Sequence, residues 1–331
     1  AGYFDSTNTY SKSSSFFSNE CDMIYLDCYP ADPETKGFQE TVAHEFQHLV
    51  NYAQKGLDGG RQQDTWINEG LSSAAEYVYS GSHLSDRINY YNDYQDAYSW
   101  GDNFYMWDIE LIDYSTVYLF FQWIRIHSDD GDAIYKDILA SSYTDYNAVV
   151  EQIKAHSSLY SSISISKSSW TQIMIDWLIA NQINLSTGKH GYKGEITGLT
   201  KMTSTNNSTG YTMAAPYEGM IKSITTEYKP TAGSGTNISY LAFDSNGTID
   251  YTSEYGNELT GTKYVLALNT NTNTSGTYEK LYLPTSVKSE ILRSSAEIEP
   301  QIYRIDILPG QTTLPSKDKQ AERKRILESL K

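Results

Sequence analysis

Cysteine is scarce: Cys21 and Cys28 are the two in 331 residues. A disulfide framework is thereby excluded. On one extended strand their α-carbons stand too far apart to bridge, whereas a turn lets them pair, and the sequence leaves both open. Basic residues are also few, 25 Lys and Arg against 41 Asp and Glu, for a formal charge of −16 and a pI near 4.7. That balance argues against nucleic acid as a partner and against a polybasic membrane contact. No run of about twenty apolar residues occurs, so no membrane span is expected. The first residue is Ala and no signal-peptide pattern is present. The expectation is a mature or trimmed, soluble, exported chain, secreted or at the cell surface, with its export signal upstream.

What is present points elsewhere. Hydrophobic residues make up 39% of the chain and Tyr alone numbers 29, enough for a sizeable core and two domains of ordinary size. Histidine is limited to six, yet two fall together in Thr41-Val42-Ala43-His44-Glu45-Phe46-Gln47-His48-Leu49-Val50. Apolar residues at Phe38, Val42, Phe46, Leu49 and Tyr52/Ala53 recur near a 3.6 period, and Gly56 is a natural stop, so residues 37–55 read as a helix. On a helix, positions i and i+4 share a face, and the imidazoles of His44 and His48 reach one metal ion. Glu45, one residue on from the first of them, stands at the general-base position of an H-E-x-x-H motif.

A catalytic zinc takes three protein ligands and keeps one position open. Glu69 is well placed as the third, near the start of a second helical run, Thr65–Ser80, that ends at Gly81. The turn-rich linker 56–61 lets this helix fold back beside the first. The metzincin pattern requires Gly and His where Asn51 and Gln54 stand, and it fails. The thermolysin-like pattern requires Asp where Ser73 stands. The zinc-aminopeptidase pattern places a second Glu seven residues after the ligand Glu, and Glu76 fits, two turns on and on the same face as Glu69. Glu76 reads either as acceptor for the other ring N–H of a zinc-binding His or as a solvated helix carboxylate.

His44-Glu45-Phe46-Gln47-His48-Leu49-Val50-Asn51-Tyr52 together with Trp66-Ile67-Asn68-Glu69-Gly70-Leu71-Ser72 resembles the hyicolysin family of secreted bacterial zinc metallopeptidases, within the wider gluzincin group. The resemblance covers about residues 20–185 and is sharp in those two segments. It implies a zincin peptidase with His44, His48 and Glu69 on zinc and Glu45 as catalytic residue. Twenty residues separate His48 from Glu69, against eighteen in the aminopeptidases, and their G-x-M-E-N substrate-amine motif is absent, so exopeptidase action is not supported.

The remaining chain fills in an α+β architecture. Residues 1–19 read as loop or short β. Residues 22–29 read as a strand ending at Pro30, which in zincins borders the cleft and takes substrate on its edge; an internal strand is the other reading. The aromatics between 83 and 113 (Tyr90, Tyr91, Tyr94, Tyr98, Trp100, Phe104, Tyr105, Trp107) read as a cleft wall or as packing under a long loop. An apolar helix opens at Tyr114 and runs to about His127. Gluzincins carry an oxyanion donor near here, and Tyr114 is the first choice, with Tyr105 and His127 next. Asp129-Asp130-Gly131-Asp132 reads as a turn capping a helix at Ala133–Leu139, or as a calcium loop without the full ligand spacing. Residues 145–157 and Trp170–Gln182 are two further amphipathic helices.

A mostly helical zincin-like peptidase domain with an edge-strand sheet is thus expected over 1–185. A small antiparallel β-sandwich-like domain succeeds it over 186–315, from apolar runs at 221–228, 238–243, 264–268, 278–283 and 302–307 with turn signals such as Asn246-Gly247 between them. A charged helical tail closes the chain over 316–331. The expected function is a zinc-dependent endopeptidase acting on proteins or peptides with a zinc-activated water and Glu45 as base. The rival is a binding or adhesion protein on a decayed scaffold, acting through the β-domain. Decay usually removes a ligand or the catalytic Glu, and His44, Glu45, His48 and Glu69 all stand. A further variant of the enzyme reading is a precursor that needs cleavage.

Overall fold

A computed structural model describes residues 2–58, 60–98, 103–202, 210–230, 232–252 and 254–284. Trp100, the apolar run 302–307 and the tail 316–331 lie outside them. The fold is α+β: two short strands, β1 (Gly2–Phe4) and β2 (Ile24–Leu26), then seven helices, then six strands. The helices are α1 (Lys36–Asn51), α2 (Thr65–Ser80), α3 (Ser85–Tyr98), α4 (Leu111–Ile126), α5 (Ala133–Ala140), α6 (Tyr146–His156) and α7 (Lys167–Ile183). The later strands are β3 (Thr212–Ala214), β4 (Gly219–Ile224), β5 (Ile238–Asp244), β6 (Ile249–Asp250), β7 (Lys263–Asn269) and β8 (Glu279–Leu281).

Contacts divide the chain into two units. Among the described residues, the first holds those up to Gln62 and Leu71–Asp86, and the second holds Gln63–Gly70 and those from Arg87 on. Helix α2 is continuous across the division, its first turns counted with the second unit and the rest with the first.

In the first unit β1 pairs antiparallel with β2 in the register Gly2↔Leu26, Tyr3↔Tyr25, Phe4↔Ile24. The Thr35 hydroxyl caps α1 by accepting from Phe38 N, a standard use of an orphan helix N–H. The apolar period predicts a helix to 55; α1 instead gives way at Tyr52 to a π-helical turn, Tyr52–Asp58. A Cβ at Gly56 would lie 2.6 Å from the Tyr52 ring, so the wide turn depends on a glycine there. Helices α1 and α2 run antiparallel, as their side-chain pairs step in opposite directions: Gln39 with Tyr79, His44 with Glu76, His48 with Ser72.

In the second unit most side chains of α4 and α7 are buried, as in helices packed inside a core. An aromatic cluster joins Trp66, Phe104, Tyr105, Phe120, Trp170 and Trp177, with Trp66 stacked on Trp170 at 5.4 Å between ring centroids. One of the two readings of residues 83–113 is packing under a long loop. Instead Ser85–Tyr98 is the helix α3; its Tyr, Asn and Asp residues have low helix propensity and little apolar periodicity, so the local signal is weak. Of the aromatics there, Tyr91, Phe104 and Tyr105 are buried.

The strands of the second unit form a four-stranded antiparallel sheet in the order β4-β7-β5-β6 and a two-stranded sheet of β3 and β8. Side chains from both sheets (Ala214, Met220, Ala267, Leu281) meet in one apolar cluster. Asn246-Gly247 turns the chain between β5 and β6, with Gly247 at φ +81°, a conformation that glycine adopts without strain. Helix α7 packs on this sheet: a Cβ at Gly219 of β4 would collide with Leu178 of α7.

Candidate metal centre

Helix α1 brings His44 and His48 to one face, with ring centroids 4.8 Å apart and nearly perpendicular. Glu69 comes from the first turns of α2. One ligand atom from each of His44, His48 and Glu69 lies within 4.8 Å of the others. His44 is buried, and His48 and Glu69 are half-buried.

Two α2 residues orient the imidazoles. Glu76 is fully buried, and its Oε1 lies 2.6 Å from His44 Nδ1. The Ser72 hydroxyl donates to Gln47 Oε1 at 2.9 Å and lies 3.1 Å from His48 Nδ1. With its own hydrogen given to Gln47, Ser72 accepts from Nδ1–H. A carboxylate likewise only accepts, so both histidines carry their hydrogen on Nδ1. The lone pairs are then on Nε2, the tautomer a metal ligand needs. Two Nε2 lone pairs and a carboxylate are the donor set that suits zinc. The sequence motifs do not single out Ser72. A signal is there nonetheless: 69, 72 and 76 lie at i, i+3 and i+7 on one helix face.

The Trp66-Ile67-Asn68-Glu69-Gly70 segment has a packing logic of its own. Trp66 anchors the start of α2 in the aromatic cluster. A Cβ at Gly70 would overlap the Phe121 ring of α4. Glu69 is thus held between an aromatic anchor and a point of close helix approach.

Glu45 is 4% exposed and borders β1, where a Cβ on Gly2 would fall 2.7 Å from Glu45 Cγ and 3.0 Å from its Oε1.

The three candidate oxyanion donors differ. Tyr105 donates its hydroxyl to Thr272 O at 3.0 Å, and burial pushes its ionisation far up. His127 is buried, and its Nε2–H donates to Gly191 O at 2.9 Å. Burial pushes the His127 pKa down to about 4, with Lys193 and His190 adding to the fall and the Gly191 bond and Asp176 opposing it. Tyr114 lies at the start of α4, edge-on to Trp107, with the Arg87 guanidinium 5.1 Å from its ring centre. Cys21 and Cys28 are free thiols, both exposed. The acidic turn at 129–132 tethers the end of α6 and the residues just past it. Asp129 accepts from Ser158 N at 2.8 Å, and His156 bridges Asp130 and Asp137 at 2.9 Å each. Asp132 precedes α5 without a side-chain capping bond, so the expected cap is not made.

The His-His-Glu cluster, with a Glu beside the first His, offers three donor side chains that could hold one metal ion. The chain is similar to the neutral metalloprotease ShpI of Staphylococcus hyicus, 30% identical over 204 residues that make up 58% of this chain and 44% of that protein. It therefore spans less than half the length of that curated relative. No protein-family model matches it. No helix among the described residues is long and apolar enough to cross a membrane.

Proposed function

We propose that the chain is a secreted zinc peptidase of the zincin type, acting as an endopeptidase of the hyicolysin kind. The observation that carries this reading is the convergence of His44, His48 and Glu69, with ligand atoms mutually within 4.8 Å, on a helix whose next residue after the first His is Glu45. The likeness to a neutral metalloprotease supports it. His44, His48 and Glu69 hold the metal, and Glu76 and Ser72 keep the two imidazoles in the ligating tautomer. What zinc supplies when bound is Lewis acidity, which brings the pKa of water down towards about 7. Glu45 takes the proton from the attacking water and passes it to the leaving amine, the two-step duty of a general base and acid. Its burial limits competing hydration of the carboxylate. Tyr114 donates to the developing oxyanion, since the Tyr105 hydroxyl and the His127 N–H already serve main-chain carbonyls.

The test is Glu45→Gln. This variant keeps its zinc content and loses casein cleavage by roughly three orders of magnitude or more, the scale of a lost proton-transfer group. Parent-level cleavage by the variant, or cleavage by the parent that a chelator leaves untouched, sinks the proposal.

A further inference from the structure

Strand β1 borders the proposed base, and at Gly2 it meets Glu45 with bare backbone. A Cβ built on Gly2 would stand 2.7 Å from Glu45 Cγ, 3.0 Å from Glu45 Oε1 and 3.1 Å from Leu26 Cδ2. Real Cβ atoms do not approach a carbon that closely, so any residue but glycine forces a displacement.

What moves is decided by the surroundings. The strand is fastened on both sides of its length: Gly2 is registered opposite Leu26, Tyr3 stacks on Tyr25 with ring centroids 4.4 Å apart, and Phe4 packs on Tyr52 at 5.5 Å. Tyr52 in turn donates to the Tyr10 hydroxyl at 2.9 Å. The Glu45 backbone is fixed in the middle of α1 between His44 and His48. The Glu45 side chain is what an added Cβ meets first, at Cγ and Oε1.

We infer that Gly2 is a positioning residue for Glu45: the bare backbone of β1 forms the wall that sets where this carboxylate stands. This rests on the peptidase reading above. A side chain at position 2 would leave the metal ligands in place and turn the base away from the water it must deprotonate. Misplacing a reacting group by about 1 Å costs on the order of 10²-fold in rate.

The experiment uses the full chain with Gly2→Ala, alone and combined with Glu45→Ala. Gly2→Ala lowers kcat on casein peptides by roughly 10²-fold, with KM and bound zinc unchanged. It also lowers the melting temperature, and that loss is smaller in the Glu45→Ala background, where the two nearest atoms, Glu45 Cγ and Oε1, are gone and Leu26 Cδ2 remains. If Gly2→Ala does not fold, the double variant does. Equal melting losses in the two backgrounds, a double variant that also fails to fold, or a kcat within twofold of the parent overturns the inference. A parent with no chelator-sensitive cleavage overturns the peptidase reading and the positioning role with it. A cleaving parent whose Gly2→Ala variant cleaves equally well overturns the positioning role alone.

Discussion

Glu76 is the residue on which the proposed site is most exposed to test. It is wholly buried and meets His44 Nδ1 at 2.6 Å. A carboxylate there fixes the tautomer and raises the basicity of the opposite nitrogen. Glu76→Gln preserves the shape and removes the charge. Zinc affinity then falls by roughly 10–100-fold, measured by competition with a chromophoric chelator; an unchanged affinity removes Glu76 from the site. His127 carries a second residue-scale consequence. Its folded pKa, pushed down to about 4 chiefly by burial, lies below the ordinary value near 6.5. A depressed pKa means that the unfolded chain binds the proton first. The stability tied to the neutral ring is therefore complete above about pH 6.5 and is lost as pH falls towards 4. Replacement by Gln keeps a donor for Gly191 O and removes the titration. In urea unfolding, the parent loses more stability than His127→Gln between pH 7 and 4, by on the order of 3 kcal/mol at most. Parallel losses in the two proteins count against this account.

Among the elements, α2 matters most because it carries Glu69, Ser72 and Glu76 on one face. Its limits, Thr65–Ser80, are legible in the sequence because the apolar period is strong and Gly81 ends it at φ +66°. The His44–His48 and Glu69–Glu76 spacings are legible for the same reason: i, i+4 and i, i+7 relations are local geometry. Ser72 and Gly70 are not, since their significance depends on what lies across the helix. Gly70→Ala tests that. Its methyl must displace the Phe121 ring or tilt α2, and overpacking of this kind costs about 1–3 kcal/mol. The expected result is a lower melting temperature together with weaker zinc binding, because Glu69 is the adjacent residue. Lower stability with unaltered zinc affinity would mean that Phe121 yields and α2 does not. Helix α3 is illegible for the opposite reason: Ser85–Tyr98 is rich in Tyr, Asn and Asp, and burial of Tyr91 rather than local propensity supports it. The strand read over 22–29 is shorter, Ile24–Leu26, and its partner β1 is legible only as loop or short β, since a three-residue strand has no period to detect.

At the scale of the whole molecule, the proposed metal joins parts of the chain that are far apart in sequence. His44 and His48 come from α1, and Glu69 comes from α2 beyond a π-helical turn and a loop. A ligand that binds the folded chain and not the unfolded one stabilises it by RT ln(1 + [L]/Kd), about 4 kcal/mol at a thousandfold excess over Kd. Thermal melting should therefore rise with free zinc and fall in excess chelator. The variants separate holding the metal from using it. Glu45→Gln retains the full zinc-dependent rise, because Glu45 is not a ligand. His48→Ala loses most of it, because two ligands bind weakly and one imidazole is gone. Glu76→Gln keeps the rise but needs a higher zinc concentration to reach it, in proportion to its weakened affinity. The formal charge of −16 adds a nonspecific background, since any divalent cation screens a surface this acidic. Magnesium in matched concentration measures that background. It moves the parent and His48→Ala equally, whereas zinc moves the parent well beyond His48→Ala. A zinc response as large in His48→Ala as in the parent would locate the effect on the acidic surface and leave the His-His-Glu cluster without a metal to hold.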